Sequence, residues 1–147
     1  MSIVIGGLYY TGFLVSFNLT YDRELDQNEA PGNELLQLEG YLQPVIDIVL
    51  GEYSVQALLE YTKTNNPSAN KKFSIAMDFY RSQYGAIEGC PNSSPVYIEQ
   101  LSIFNKAEYF WRWSSNCNFE KAIGTVVFDI KKSDNGWVLK RFGIKQL

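Results

Sequence analysis

The chain has 147 residues, of which 46% are apolar and 15% aromatic, so a disordered protein is excluded and one folded domain is expected. Its formal net charge of −3 is unevenly divided. Residues 1–60 hold nine acidic residues and one basic residue, whereas residues 61–147 hold seven and twelve. The basic residues are scattered and form no basic helix or arginine run, which argues against a nucleic-acid partner.

Residues 3–19 contain no charged side chain, and three interpretations of this run compete. As a helix it would span about 25 Å, close to the thickness of a bilayer core, so residues 1–21 are interpreted as a membrane anchor. As strands, the alternation of Val15, Phe17 and Leu19 with polar residues predicts a β-hairpin. A cleaved signal peptide is disfavoured because the run has no basic start and no small-residue cleavage site.

Residues 22–32 are polar and end in a Pro-Gly pair, so they are predicted to form an acidic linker between the N-terminal segment and a domain at residues 33–147. The linker contains a single arginine. Because membrane proteins concentrate Lys and Arg on the cytoplasmic side, this composition predicts an extracytoplasmic position for residues 22–147, whether periplasmic, lumenal or extracellular.

Three helices are predicted after the linker. The first begins after Asn33 and contains Pro44, which predicts a kink or two shorter helices. The second begins after Ser54, and the third runs from Ser68 to a stop at Gly85. Apolar residues recur at spacings of three and four along the first and third helices, which predicts one core-facing side for each.

Four strands are predicted next, over residues 95–104, 107–114, 119–132 and 136–146. The turn Ser133-Asp134-Asn135-Gly136 between the last two is typical of a hairpin. Both faces of the central strands are largely apolar, so each needs a cover. The sequence therefore predicts an α+β fold in which the three helices cover one face of an antiparallel sheet. The other face is expected to bend on itself, to meet the N-terminal segment or to meet a partner.

The two cysteines are predicted to be linked. Cys90 follows the third helix, and Cys117 lies in the predicted loop between the second and third strands. A bridge between them would contribute about 3 kcal/mol in the chain-entropy account of disulfides. In an oxidising compartment we expect this disulfide, and two unpaired thiols are the alternative.

The chain contains no histidine, which removes histidine-based proton transfer and histidine-activated nucleophiles. Asp47 lies among apolar neighbours and is a candidate for a carboxylate whose pKa burial raises, although a position on the polar side of its helix is preferred. Glu99, Glu108 and Asp129 are predicted to be solvated or paired with lysines. Two cysteines do not make a metal site, and no cofactor motif is present. We therefore expect no enzymatic activity, no metal and no cofactor.

The order of these elements resembles the NTF2-like (cystatin-like cone) superfamily over about residues 33–147. The closing GWVLKRFGIK resembles the last strand of many small members, and YRSQYGAIEG resembles the helix-to-sheet junction of small bacterial members without assigned activity. The resemblance implies three N-terminal helices packed on a strongly bent four-stranded antiparallel sheet. Larger members have a strand between the second and third helices, and none is predicted here.

Two functional hypotheses follow. The first is a non-enzymatic accessory subunit, anchored by the N-terminal segment, whose domain docks on a protein partner in a larger membrane complex. The alternative is a soluble binding module with a site on the aromatic sheet face for a small apolar ligand or for homodimerisation. The residues proposed for that site are Tyr109, Trp111, Trp113 and Trp137.

Overall fold

The computed structural model describes the backbone of residues 2–11 and 14–147 and the side chains from Thr20 onward. In this part of the chain, two strands precede three helices, and five strands follow them. The elements are β1 (Ser2–Thr11), β2 (Leu14–Leu25), α1 (Glu34–Ile46), α2 (Val55–Thr62), α3 (Pro67–Tyr84), β3 (Ile87–Gly89), β4 (Val96–Ser102), β5 (Glu108–Phe119), β6 (Ile123–Ser133) and β7 (Gly136–Gln146). A short 3-10 helix covers Gln27–Glu29.

The strands form one antiparallel sheet in the order β1-β2-β4-β5-β6-β7, and β3 pairs with the end of β5. The predicted four-stranded sheet is therefore wrong, because β1, β2 and β3 also join it. Residues 20–25 of β2 pair with residues 97–102 of β4, so the sheet includes the start of the predicted acidic linker. Their polar composition misled the prediction, since Asp22 is buried in an ion pair instead of facing solvent.

The predicted membrane anchor falls largely on residues whose side chains lie outside the described part of the chain. The backbone of residues 2–11 and 14–25 forms β1 and β2, which pair from Ser2 opposite Asp22 to Thr11 opposite Leu14. This pairing corresponds to the hairpin interpretation of the sequence. Among the described helices, none is long and apolar enough to cross a membrane.

The starts of α2 and α3 are fixed by side chains that accept backbone amides. Ser54 Oγ accepts a hydrogen bond from the amide of Ala57 at 3.1 Å, as an N-cap residue does. Asn66 Oδ1 accepts the amide of Ser68 at 3.0 Å, so α3 begins one residue before the predicted Ser68. The residue gained is Pro67, which fits the first helical position because its missing N–H is not needed there.

The passage from α1 to α2 contains a π-helical segment. α1 includes Pro44 and continues to Ile46, so the proline does not divide the helix. Proline cannot donate the backbone hydrogen bond of a regular helical turn, and the chain widens into a π-helix over Asp47–Glu52 shortly after it. Tyr53 then adopts a left-handed conformation at φ 53°, and its hydroxyl donates a 2.6 Å hydrogen bond to the carbonyl of Gly85 at the end of α3.

The helices cover one face of the sheet, and the main core lies between the helices and this face. Alternation along the strands decides which residues belong to it, because successive side chains point to opposite faces. The buried core side chains include Leu38, Leu42, Val45, Val49, Leu50, Tyr53, Leu58, Met77, Tyr84, Trp111, Trp113, Phe119, Phe128, Ile130 and Leu139.

The predicted disulfide between Cys90 and Cys117 is confirmed, with 4.2 Å between the two Cα atoms. Cys117 is buried within β5 and does not lie in a loop, because β5 is longer than predicted. The bridge holds the segment between β3 and β4 along the edge of β5. There the indole Nε1 of Trp113 donates to the carbonyl of Ser93 at 3.1 Å, and Ser115 Oγ donates to the carbonyl of Pro91 at 3.1 Å.

Candidate functional site

The aromatic residues proposed from the sequence do not form one open site. Trp111 and Trp113 are 1% and 5% exposed and belong to the core beneath the helices. Tyr109 is 42% exposed, and its ring stacks on Tyr97 at a centroid distance of 6.1 Å. Trp137 is partly buried and lies beneath the ammonium group of Lys132, 4.8 Å from its ring centroid. Of the four, Tyr109 therefore has the largest exposed fraction.

These residues also border different cavities. Tyr109 and Trp111 line a small cavity of about 220 Å³ together with Tyr97. Trp113 borders a separate groove of about 440 Å³ between the end of α1 and the segment that joins β3 to β4. The three charged residues that line this second groove are Glu39, Asp47 and Glu88, so it carries a negative potential.

The most exposed apolar surface on the sheet lies around the connection from β4 to β5. Ile103 and Phe104 are 65% and 76% exposed, and Leu101 and Tyr109 flank them with about two fifths of their surface exposed. We call these four residues the apolar end. β4 ends at Ser102 opposite Thr20, whereas β2 extends past this point in its pairing with β1. The apolar end therefore lies beside the base of a hairpin whose residues 3–19 carry no charge.

A chain of polar contacts connects the apolar end to the body of the sheet. Glu99 accepts hydrogen bonds from Arg23 Nε at 3.1 Å and from the Tyr109 hydroxyl at 2.8 Å. The bond to Glu99 stabilises the neutral phenol and so raises the pKa of Tyr109. On the other side, the ring of Tyr97 lies between Tyr109 and Trp111, with a centroid distance of 4.9 Å to the latter. Tyr109 is consequently held in a defined position although it is exposed.

The face of the sheet opposite the helices carries a network of ion pairs that crosses five strands. Arg112 of β5 bonds Asp129 of β6 through Nε at 2.8 Å and Asp22 of β2 through a terminal nitrogen at 3.1 Å. Arg141 of β7 bonds the same Asp129 at 2.6 Å, and Gln100 of β4 donates to Asp22 at 2.9 Å. We call these five residues the ion network. Hydrogen bonding to Asp129 is the main reason why the pKa of Arg112 is raised.

The ion network also explains how the second apolar face of the central strands is covered. Phe110 is 1% exposed although it points away from the helices. The guanidinium group of Arg112 lies 5.5 Å from its ring centroid, and the ammonium group of Lys140 lies 4.6 Å from it. Lys140 in turn pairs with Glu108. Long basic side chains thus shield the aromatic ring while their charges meet carboxylates.

The carboxylates singled out from the sequence have ordinary structural partners. Asp47 is exposed and accepts a hydrogen bond from Gln43 Nε2 at 2.9 Å, as expected for the polar side of its helix. Glu108 pairs with Lys140, as predicted, and this bond lowers its pKa. For Asp129 the prediction of solvation or a lysine partner is wrong, because it is 2% exposed and both of its partners are arginines.

Sequence reasoning missed the ion network and the apolar end. The sequence feature that indicates the network is an arginine between two tryptophans on an otherwise apolar strand. The sequence does not show which residues of the other four strands lie near this arginine, because that depends on how the strands are aligned. The signal for the apolar end was the pair Ile103-Phe104 inside a turn, which was assigned to a strand instead. Among the described residues, no group of three or more side chains suited to holding a metal is present.

Comparisons of the chain with protein-family models, curated proteins and solved structures give no match. The resemblance to the NTF2-like superfamily therefore stays a hypothesis based on the order of elements, and functional conclusions depend on the geometry of this chain.

Proposed function

We propose that the chain is a non-enzymatic accessory subunit of an oxidising compartment, and that it docks on a protein partner in a larger membrane assembly through its apolar end. The observation that carries the proposal is the exposure of Ile103 and Phe104 beside an uncharged hairpin. Scattered exposed apolar residues are ordinary on protein surfaces, whereas a contiguous group beside 17 uncharged positions indicates an interaction surface.

A protein partner fits this surface better than lipid because β1 is an edge strand of the sheet. Its residues 2–11 contain no charged residue and no proline, which are the features that normally protect an edge from pairing. The opposite edge, β7, carries Lys140, Arg141 and Lys145. A strand of a partner can pair with the backbone of β1, whereas lipid cannot satisfy these groups.

The absence of a poised acid or base supports a non-enzymatic role. The chain has no histidine, and the buried carboxylates among the described residues are Asp22 and Asp129. Both accept hydrogen bonds from arginine, and Asp22 also accepts one from Gln100. Carboxylate oxygens that are already bonded in this way are not free to contact a substrate.

The compartment and the membrane location rest on separate features. The Cys90–Cys117 disulfide supports an oxidising compartment, since such bonds are kept reduced in most cytosols. The uncharged residues 3–19 support attachment at a membrane. Fractionation of membranes from the native source at neutral pH tests the second point. The protein is expected to stay with the membrane fraction, and its recovery as a soluble protein would contradict this location.

Substitution of the apolar end tests the docking role. The double change Ile103→Asp and Phe104→Asp is expected to shift the protein from the large assembly to a free form in sedimentation of detergent extracts, because it places two charges in the apolar contact. The matched control is Ile75→Asp with Phe79→Asp, which alters two similarly exposed apolar residues on α3. Equal sedimentation of both double variants and the wild type would contradict docking through the apolar end.

The oligomeric state of the purified protein tests whether the partner is a second copy of the chain. A dimeric wild type whose dimer is lost in the variant Ile103→Asp with Phe104→Asp would identify a second copy as the partner.

A further inference from the structure

Another groove, distinct from the one beside Trp113, lies between the helices and the edge strand β7. It has a volume of about 480 Å³, within the range of roughly 300–1,000 Å³ that is typical of small-molecule sites. Its apolar lining comes from three elements, with Leu58 on α2, Phe73 and Tyr80 on α3, and Leu139 and Phe142 on β7. This helix–β7 groove is therefore an apolar cleft that opens to the surface.

The side chains of α3 give the groove its length and depth. Lys72, Ala76 and Tyr80 are spaced by four residues, so they lie in line along one side of the helix over about 12 Å. Ala76 occupies the middle of this line, where its small side chain leaves the space open. Tyr80 closes one end, and its ring packs against Phe142 at a centroid distance of 5.7 Å.

All the charged residues that line the groove are positive. Lys72, Lys140 and Arg141 are the charged residues that line it, and all three are basic. Lys140 pairs with Glu108 and Arg141 with Asp129, so their charges are already met on the other face of the sheet. Lys72 is exposed and forms no ion pair with any described residue. The groove thus combines an apolar floor with one available cation at its rim.

We infer that the helix–β7 groove binds a small anionic amphiphile, with an unbranched apolar tail along α3 and a carboxylate at Lys72. The length of about 12 Å between Lys72 and Tyr80 suits an extended alkyl chain of about ten carbons. The absence of acidic residues from the lining selects an anionic head group over a cationic one. This ligand site is independent of the docking surface, since none of its residues belongs to the apolar end.

Titration calorimetry with decanoate tests the inference on the full chain. Decanoate is expected to bind, and decyltrimethylammonium, with the same tail and the opposite charge, is expected to bind at least tenfold more weakly. Ala76→Trp is expected to abolish decanoate binding, because the indole fills the middle of the groove. Ile75→Trp is the matched control, since Ile75 is exposed on another side of the same helix.

Charge variants test the role of the rim. Lys72→Glu is expected to weaken decanoate binding about tenfold, whereas Lys71→Glu, its exposed neighbour outside the groove, should leave it unchanged. Near-ultraviolet circular dichroism confirms that each variant is folded. Absence of binding by wild type, equal binding of the two amphiphiles, or unchanged binding by folded Ala76→Trp would overturn the inference. Flotation with phosphatidylglycerol vesicles that Ala76→Trp abolishes, without binding of free decanoate, would also overturn it and would identify membrane lipid as the source of the anionic amphiphile.

Discussion

Arg112 and Asp129 form a two-point ion pair on the sheet face that the helices leave open. Arg112 Nε lies 2.8 Å from Oδ1 of Asp129, and a terminal nitrogen lies 3.1 Å from Oδ2. Their strands place them directly opposite each other in the register of β5 and β6. Because Asp129 is almost completely buried and Arg141 also binds it, this carboxylate holds three adjacent strands together.

Replacement of Asp129 is expected to destabilise the fold strongly. Asp129→Asn would leave the partly buried guanidinium of Arg112 without its main counterion, at a cost of about 3 kcal/mol in the free energy of unfolding. Equilibrium unfolding in urea measures this change. Asp134→Asn, in the exposed turn between β6 and β7, is the control and should stay within about 0.5 kcal/mol of wild type. A similar stability of the two variants would show that the ion network is not needed for folding.

Removal of the disulfide is expected to lower stability by about 3 kcal/mol, because it frees the loop that joins Cys90 to Cys117 in the unfolded chain. Cys90→Ser with Cys117→Ser is the variant to measure by thermal unfolding. The contacts that hold the β3–β4 segment should also loosen, and the near-ultraviolet signal of Trp113 reports this locally. A double variant with wild-type stability in the absence of reductant would contradict the expected role of the bridge.

The sequence predicted local features well and long-range ones poorly. The hairpin at residues 133–136 and the cap at Ser54 depend on neighbouring residues, and the structure contains both. The Cys90–Cys117 link was predictable because two cysteines allow a single pairing. The pairing of residues 22–25 with β4 was missed because this part of β2 is charged. Asp22 can lie in a sheet only because Arg112 reaches it from β5, and periodicity contains no information about such a partner.

The helix–β7 groove and the apolar end could not be predicted from the sequence, because both depend on how separate elements lie beside each other. The helix–β7 groove exists because α2 and α3 lie beside an edge strand, and no motif in the sequence predicts that arrangement. Tyr80, for example, packs against the core and also borders the groove. The apolar end was hidden for a different reason, since Ile103 and Phe104 extend the apolar pattern of β4 but follow its last paired residue.

Two tyrosines with raised pKa values should respond oppositely to loss of the hydroxyl group. The hydroxyl of Tyr53 donates to Gly85, whereas that of Tyr41 is buried without a hydrogen-bond partner among the described residues. Tyr53→Phe should cost about 1 kcal/mol in unfolding free energy, while Tyr41→Phe should be neutral or stabilising by up to about 1 kcal/mol. Urea unfolding at neutral pH distinguishes the two. Equal destabilisation would indicate that the Tyr41 hydroxyl has a partner after all.

The same tyrosines predict a loss of stability in alkali. Burial is the main cause that raises the pKa of Tyr41 and of Tyr53 from 10.0 to about 12. Between these values the unfolded chain loses protons that the folded chain retains, so unfolding becomes more favourable as the pH rises from about 10 to 12. Below pH 10 these groups should have no effect on the pH dependence. Tyr41→Phe should reduce the slope of stability against pH in this window, and an unchanged slope would contradict the assignment.

Two glycines in adjacent strands provide a final contrast. A Cβ atom at Gly124 would lie 2.6 Å from Cγ2 of Ile144 and 3.0 Å from the ring of Tyr84, where the end of α3 approaches the sheet. Gly124→Ala should therefore destabilise the fold by about 2 kcal/mol through overpacking. At Gly143 the nearest atom is the Tyr80 hydroxyl at 3.8 Å, an ordinary contact, so Gly143→Ala should be tolerated. Thermal unfolding of the two variants measures the difference. A greater loss of stability for Gly143→Ala would contradict this packing of α3 on β6 and β7.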